Sequence, residues 1–408
     1  MVPVSKAIGM VRGMIPRGIA APVRVNAVQA VGRVLAADVV AREDLPSFPR
    51  STVDGFAVAA ADTFGAGEGT PAILVLDGEV PVGGVPAGAL RRGSAVRVAT
   101  GCALPRGADA VAMVEYCDEP GDGTVTVYCS VSPGENVIQR GEDIAAGATV
   151  LRDGHRLRPQ DIGALAALGF AEVEVYPLPR VAVVSTGDEV VDPLRVPGPG
   201  CVRDINGPAV CASLLRDGAV PEFLGIVPDD RRLLEDCLLR ALECDALVVS
   251  GGSSAGPRDM IASVIDSRGS PGVVVHGLAL RPGKPTILAV LDGKLAVGLP
   301  GHPASALVSY ETVVKPLLRH VGGETVRDEP FERPPLRARC SRRLSSRPGR
   351  EEFVRCTLRT RGGETWADPV LGKSGLISTM VKASAFIHIP LDCDGVEQGS
   401  IVDVRVFE

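Results

Sequence analysis

Aromatic residues make up only 3% of this 408-residue chain, with one Trp, four Tyr and nine Phe. Its cores must therefore be built from Val, Ala, Leu and Ile. Ten cysteines run from Cys102 to Cys393 without a single C-x-x-C pair, and the five histidines (His155, His276, His302, His320, His388) are equally dispersed. That scatter argues against a structural zinc site and fits reduced, buried thiols in a cytosolic protein. No apolar run approaches the ~18 residues that a membrane span needs, so no membrane partner is expected. The N-terminal MVPVSKAIGMVRGMI lacks the uninterrupted apolar core of a signal peptide. The formal charge of −6 disfavours a nucleic-acid binder. Residues 327–361 are the local exception, with eleven Arg against five acidic residues. Their ordinary reading is Arg on exposed strand faces; the other is an anion-facing role for one or two of them.

Glycine (48) and proline (33) are plentiful, which points to short strands and tight turns rather than a helix bundle. The length holds about two to four domains of ~100–150 residues. The N-terminus reads as an amphipathic helix with Ser5 as N-cap, followed by a second helix near Ala27–Asp38. From Pro46 to Gly134 the runs AILVLDGEV, SAVRVAT and TVTVYCSV predict a small β domain, and 135–178 returns to mixed character with a helix at Gln160–Leu168. From Arg180 onward strands and helices alternate: RVAVVS, Gly207–Asp217, EFLGIV, Arg231–Leu242, ALVVS, Arg258–Ser267, VVVHGLAL and a closing helix at Ala304–Val321. Such alternation predicts a doubly wound α/β domain, an open and mostly parallel sheet covered on both faces. Beyond Gly323 the β runs EEFVRCTLR, AFIHIP and SIVDVRVF predict a terminal β-barrel. The expected fold is thus multidomain α/β plus β, with residues 1–46 and 135–178 forming one discontinuous domain, 47–134 a small β domain, 179–323 the central α/β domain and 324–408 the barrel.

Ligands of open α/β sheets bind beyond the carboxyl ends of the strands. Two glycine-rich loops fall there. One is Ser250 to Gly256, in which Gly251, Gly252, Ser253 and Gly256 follow an apolar strand; the other is Leu299–Pro303, which with Lys284 brackets a hairpin-like segment. Glycines let backbone N–H groups converge on an oxyanion, so a phosphate-like anion is the expected ligand. Three acidic residues accompany these loops: Glu189 after Thr186-Gly187-Asp188, Asp229 in IVPDD and Asp259 after the first glycine loop. Taken singly, Glu189 reads as a solvated turn, Asp229 as a helix cap and Asp259 as a charge favouring a helix N-terminus. Taken together, they resemble an oxygen-only Mg²⁺ site facing a bound phosphate.

The motifs PSFPRSTVDGFAV (46–58), ATGCALPRGADAVAMVE (99–115), GENVIQRGEDI (134–144), VAVVSTGDEV (181–190), VSGGSSAGPRD (249–259), RPGKP (281–285), LPGHPAS (299–305) and GKSGLISTM (372–380) occur in this order. In this the chain resembles the molybdopterin molybdenumtransferase family, which includes MoeA and the E domain of gephyrin. The resemblance makes Asp54 the acid of the D-G-[YF]-A loop, Thr100 the threonine of the T-G loop, Asp143 the G-E-D-I aspartate and Glu189 the T-G-D-E glutamate. It matches Asp229 and Asp259 to the acids flanking the third strand, and Lys284 to the second base of K-P-G-K-P. Pro300 and Pro303 match the loop near molybdate, and Ser374 a serine of the last motif. Four positions depart from the family pattern: Arg281 replaces the first lysine, His302 the asparagine of L-P-G-N-P, Ser253-Ser254-Ala255 a more apolar stretch, and Ile138 an arginine, leaving Arg140 as the basic residue there. Arginine offers a fixed planar fork where lysine is a mobile point charge, and histidine can add pH dependence.

The resemblance implies a cytoplasmic, Mg²⁺-dependent transferase that inserts molybdenum from molybdate into adenylylated molybdopterin and releases AMP. It also implies a homodimer, assembled through the first, discontinuous domain, whose site combines the α/β domain of one subunit with the β domain of the other. Two alternatives share the fold: the upstream molybdopterin adenylyltransferase, against which the extra β domains argue, and a dimeric scaffold with reduced catalysis, against which Asp54, Asp143, Glu189, Asp259 and Lys284 argue.

Overall fold

The computed structural model describes residues 1–251, 257–326, 330–331 and 334–406, and the side chains of 257–259 also fall outside the description. The chain forms two compact units, one of residues 1–37, 153–159 and 172–408, the other of 38–152 and 160–171.

The first unit is built on a six-stranded sheet made of β1 (Arg180–Thr186), β2 (Val220–Val227), β3 (Ala246–Gly251), β4 (Gly272–His276), β5 (Ile287–Leu291) and β6 (Lys294–Pro300). The spatial order is β2-β1-β3-β6-β5-β4. Strands β2, β1, β3 and β6 are mutually parallel, and β5 runs antiparallel to both neighbours. The β5–β6 hairpin turns at Asp292-Gly293, both with positive φ (49° and 80°), the backbone of a tight two-residue turn.

Alternation decides which face each side chain covers. Val181 and Val183, with Ala246, Val248, Leu295 and Val297, pack on one face against the N-terminal helix Val4–Arg12 and the helix Asn206–Arg216. Ala182 and Val184, with Leu247, Val249 and Ala296, pack on the other face against Arg231–Ala241 and Pro257–Arg268. A strand buried on both faces must be apolar throughout, which is why RVAVVS and ALVVS are continuous runs.

The C-terminal barrel closes fully. Glu351–Arg361 pairs with Glu364–Pro369, which pairs with Leu336–Cys340, then Ile401–Val406, then Ala385–Ile389, and this last strand returns to Glu351–Arg361. Val354, Cys356, Ile387 and Val404 fill its interior. Phe353 points the opposite way and joins the core of the α/β layer. There it stacks on His388 at 4.7 Å and meets Phe386 edge-on at 6.2 Å. The short strand Leu280–Arg281 adds to the same barrel, parallel to Glu351 and Glu352.

The second unit holds a six-stranded sheet in the order Ala110–Met113, Gly55–Val58, Ser94–Val98, Ala72–Val80, Thr124–Val127 and Cys117–Asp118. Gly55 is required there, because a Cβ would fall 2.0 Å from the Ala112 carbonyl oxygen.

Three local expectations fail. No α-helix forms near Ala27–Asp38: only Ala27–Ala30 makes a 3₁₀ turn, with the Asn26 side chain accepting from Val28 N–H at 3.0 Å. Gly32 then turns at φ 77°, and Val28 and Val31 face solvent rather than forming one apolar stripe. Ser5 lies inside the first helix, whose cap position is Pro3. VVVHGLAL is split after His276, where Gly277 has φ 90°, and its second half joins the barrel rather than the sheet.

All ten cysteines are unpaired, and burial pushes the Cys117 and Cys356 thiols up to about 12. Among the described residues no helix is long and apolar enough to cross a membrane.

Phe353 is 1% exposed and packs a barrel strand onto the α/β core, so Phe353→Ala should cost about 3–5 kcal/mol. Urea unfolding followed by far-UV circular dichroism should show one transition at a lower midpoint; a separate early barrel transition would mean that the two cores unfold independently.

Candidate active site

A cavity of about 940 Å³ opens where the carboxyl ends of β1, β3 and β6 face the barrel. Ser185 and Thr186 end β1, Ser250 and Gly251 end β3, and Pro300 ends β6. The floor is a buried polar network. Ser185 donates to Asp204 Oδ2 at 2.7 Å, and Asp204 Oδ1 accepts Gly207 N–H at 3.0 Å. Asn206 donates to Ser250 Oγ at 2.8 Å and to the Gly301 carbonyl at 2.9 Å. A Cβ on Gly251 would fall 2.4 Å from Thr186 Oγ1, so glycine leaves room for that hydroxyl. Thr186 Oγ1 is buried and has no partner among the described residues.

The wall is cationic. Arg203, Arg281, Lys284, Arg343, Arg350, Arg355 and Lys373 line it, against Glu189, Asp204 and Glu352. Of these acids, Glu352 pairs with Arg281 at 3.2 Å, and Asp204 is held by the floor network. Lys284 makes no ion pair among the described residues. Strand alternation puts Arg355 on the same barrel face as Phe353. It is 8% exposed, its Nη2 donates to the Gly372 carbonyl at 2.9 Å, and its Nε and Nη1 have no partner among the described residues. Burial pulls this guanidinium below its ordinary range. A surplus of positive charge in a half-enclosed space is suited to an anion.

The predicted site residues are not all brought together. Gly251, Glu189, Arg281, Lys284, Pro300, Pro303 and Ser374 line the one cavity. Ser374 Oγ lies 2.9 Å from His302 Nδ1, and its carbonyl accepts Ala304 N–H at 3.0 Å. In the second unit, Asp54 and Thr100 are together: Asp54 Oδ1 accepts both the Thr100 N–H (2.7 Å) and its hydroxyl (2.9 Å). Asp143 is exposed in a turn whose N–H donates to the Leu45 carbonyl, and it makes no hydrogen bond to that pair. Gly252, Ser253, Gly256 and the Asp259 side chain lie outside the described residues.

Asp229 N–H donates to Asp188 Oδ1 at 3.0 Å. Its carboxyl is pushed above the usual range by burial, and then by the charges of Asp188 and Glu189. The next helix is capped by Asp230 rather than Asp229, through Arg232 N–H and Leu233 N–H. Asp188, Glu189 and Asp229 therefore gather carboxylate charge beside the ends of β1 and β2. No group of three His, Cys, Asp or Glu able to hold a metal occurs among the described residues.

Sequence reading missed the floor network and the individual barrel arginines. Asn206-Gly207-Pro208 was a usable signal, since a Cβ on Gly207 would fall 2.4 Å from Asp204 Oδ2. The Arg excess of 327–361 pointed to an anion without saying which side chains turn inward.

With this geometry the chain defines an α/β protein that presents a cationic cavity between its sheet edge and a barrel. Three family models match it in order: the MoeA N-terminal region (domain I and II) over residues 2–169, a domain described as "Probable molybdopterin binding domain" over 182–320, and the MoeA C-terminal region (domain IV) over 337–407. Molybdopterin molybdenumtransferase 2 of Mycobacterium tuberculosis is 34% identical over 390 residues, 94% of each chain. Molybdopterin molybdenumtransferase of Bacillus subtilis is 32% identical over 392 residues, 92% of this chain and 87% of that one. A crystal structure of the molybdopterin biosynthesis protein MoeA from Pyrococcus horikoshii OT3 superposes with TM-score 0.82 at 30% identity, covering all of both chains. The chain belongs to the MoeA family of molybdopterin molybdenumtransferases.

The Asp54–Thr100 pair makes a pH prediction. The Thr100 N–H and then its hydroxyl hold the Asp54 carboxyl below the usual range. A depressed carboxyl stabilises the fold above its unfolded-state pKa, and this contribution is lost as pH falls through the folded value. Thr100→Val removes one donor and should raise the Asp54 midpoint in a ¹³C-detected NMR titration; an unmoved midpoint would show that the hydroxyl contributes nothing.

Proposed function

We propose that this chain inserts molybdenum from molybdate into the dithiolene of adenylylated molybdopterin and releases AMP. The observation that carries the reading is the cationic cavity at the sheet edge of a chain that belongs to the MoeA family, with Lys284 left without a counter-ion among the described residues. A tetrahedral dianion needs fixed cations and backbone donors. Lys284, Arg281 and the 299–303 turn line the cavity and are proposed to supply them, with Ser374 and Pro303 as further contacts. The open volume, about 940 Å³, also accommodates a nucleotide-linked pterin.

Asp229, Glu189 and Asp259 are proposed to hold Mg²⁺. When bound, Mg²⁺ supplies a Lewis acid that neutralises charge on the phosphoanhydride. The carboxylates position it, and Gly251 with the following loop holds the phosphate. Asp54, Thr100 and Asp143 are proposed to act across a homodimer, in the site of the partner subunit; sedimentation should give one species near twice the 42.3 kDa chain mass. Unpaired cysteines support a reducing, cytoplasmic setting.

Two variants, measured side by side, test the assignment. Lys284→Ala should weaken molybdate binding by about 1–3 kcal/mol in calorimetry, the scale of a lost charge-assisted contact, with the thermal midpoint nearly unchanged. Asp259→Asn should keep the fold and lose most Mg²⁺-dependent AMP release. Near-normal AMP release from the Asn variant would remove Asp259 from the chemistry, and unchanged molybdate affinity would remove Lys284.

A further inference from the structure

The structure places a titratable ring inside the proposed oxyanion site. His302 is exposed to the cavity at the turn between β6 and the helix Pro303–Ser309. Its Nδ1 is 2.9 Å from Ser374 Oγ. The loop that carries Ser374 is pinned at two other points, by Ala304 N–H on the Ser374 carbonyl (3.0 Å) and by Arg355 Nη2 on the Gly372 carbonyl (2.9 Å). The backbone is thus fixed, and the serine hydroxyl proton is the part free to turn.

The protonation state of the ring decides where that proton goes. A neutral imidazole with its hydrogen on Nε2 accepts the Ser374 proton at Nδ1, and the hydroxyl then offers an incoming anion only lone pairs. An imidazolium donates from both nitrogens. Nδ1–H then points at Ser374 Oγ, and the hydroxyl proton must turn away, toward the open cavity. Protonating that tautomer therefore adds a positive charge and frees the hydroxyl proton from Nδ1; in the Nδ1–H tautomer the hydroxyl proton is already free, and protonation adds the charge and the Nε2 donor alone.

The surrounding charges set the direction of the linkage. From the turn at 281–285, Arg281 and Lys284 face the cavity; from the barrel, Arg343, Arg350, Arg355 and Lys373 do so. Arg203 also lines it, beside Asp204. Against them stand Glu189, Glu352 paired with Arg281, and Asp204 within the floor network, and Arg343 is paired with Glu397 at 3.1 Å. A dianion bound beside His302 favours the charged ring over the neutral one, so binding and protonation favour each other.

We propose that His302, acting with Ser374, couples oxyanion binding to uptake of a proton, so that this chain holds its tetrahedral dianion more tightly as pH falls. The proposal rests on the cavity being the molybdate site. Histidine is the side chain suited to change charge between about pH 5 and 8, and asparagine, of similar reach, cannot ionise.

Calorimetry of full-length protein with sodium molybdate tests this at pH 6.0 and 8.0, in buffers of different ionisation enthalpy. The wild type should bind about three- to tenfold more tightly at pH 6.0 and take up a fraction of a proton near pH 7. His302→Asn should bind with little pH dependence and no proton uptake; any protonation of molybdate itself would persist in that variant. Equal pH dependence and equal proton uptake in both proteins overturn the role of His302. Wild-type binding that does not vary with pH, but is lost in Lys284→Ala, also overturns it while leaving the molybdate site standing. No wild-type binding at either pH overturns the site and this proposal together.

Discussion

Asn206 gives both of its amide hydrogens to the ends of two different strands, Ser250 Oγ on β3 and the Gly301 carbonyl just beyond β6. Everything above the sheet edge depends on that contact. It fixes the turn that carries His302 and Pro303 relative to the strand that leads into the first glycine loop. Asp204, two residues earlier, does the same for β1 through Ser185 and for the following helix through Gly207 N–H. These groups are buried, and each polar atom left unpaired there would cost about 1–3 kcal/mol. The floor is therefore rigid, and the variable chemistry sits in the charged wall above it.

Two uncompensated charges of opposite sign lie along one edge of the sheet. Lys284 and the barrel arginines face the cavity with few acids to neutralise them, while Asp188, Glu189 and Asp229 crowd beside the ends of β1 and β2 until burial and mutual repulsion lift the Asp229 carboxyl. Neither arrangement stabilises the free protein. Each would be favoured by a ligand of the opposite charge, which is the physical basis of the anion and the Mg²⁺ proposed above. Structural ion pairs elsewhere show the contrast: Glu324 is gripped by Arg319 and Arg156, which hold its carboxyl below the usual range despite burial.

Much of this was legible in the sequence because the physics is local and periodic. Strands β1 and β3 are apolar on both faces, so RVAVVS and ALVVS declare themselves, and the β5–β6 hairpin is announced by Asp292-Gly293. The barrel follows from alternating runs such as EEFVRCTLR, whose Val354 and Cys356 turn inward while Phe353 and Arg355 turn outward. What the sequence hid is long-range. Nothing near Ala27–Asp38 reveals that its apolar residues do not share one face, and nothing near Leu280 reveals that its strand leaves the sheet to join a barrel some 70 positions later, at Glu351 and Glu352. The cavity-facing arginines were hidden for the same reason: an Arg-rich strand looks alike on both sides until the neighbouring layer is known. Motif resemblance reached the cavity residues Glu189, Lys284 and Ser374, but not the buried Asp204 and Asn206 that tie the strand ends together beneath the cavity.

The central claim is that the cavity between the sheet edge and the barrel takes a tetrahedral oxyanion. Anomalous diffraction at the molybdenum edge from a crystal of this protein soaked in molybdate tests it most directly. The account predicts a single strong peak within contact distance of Lys284 and the 299–303 turn, on the side closed by Ser374. A cavity without a peak at saturating molybdate, or a strong peak only elsewhere on the protein, would contradict it.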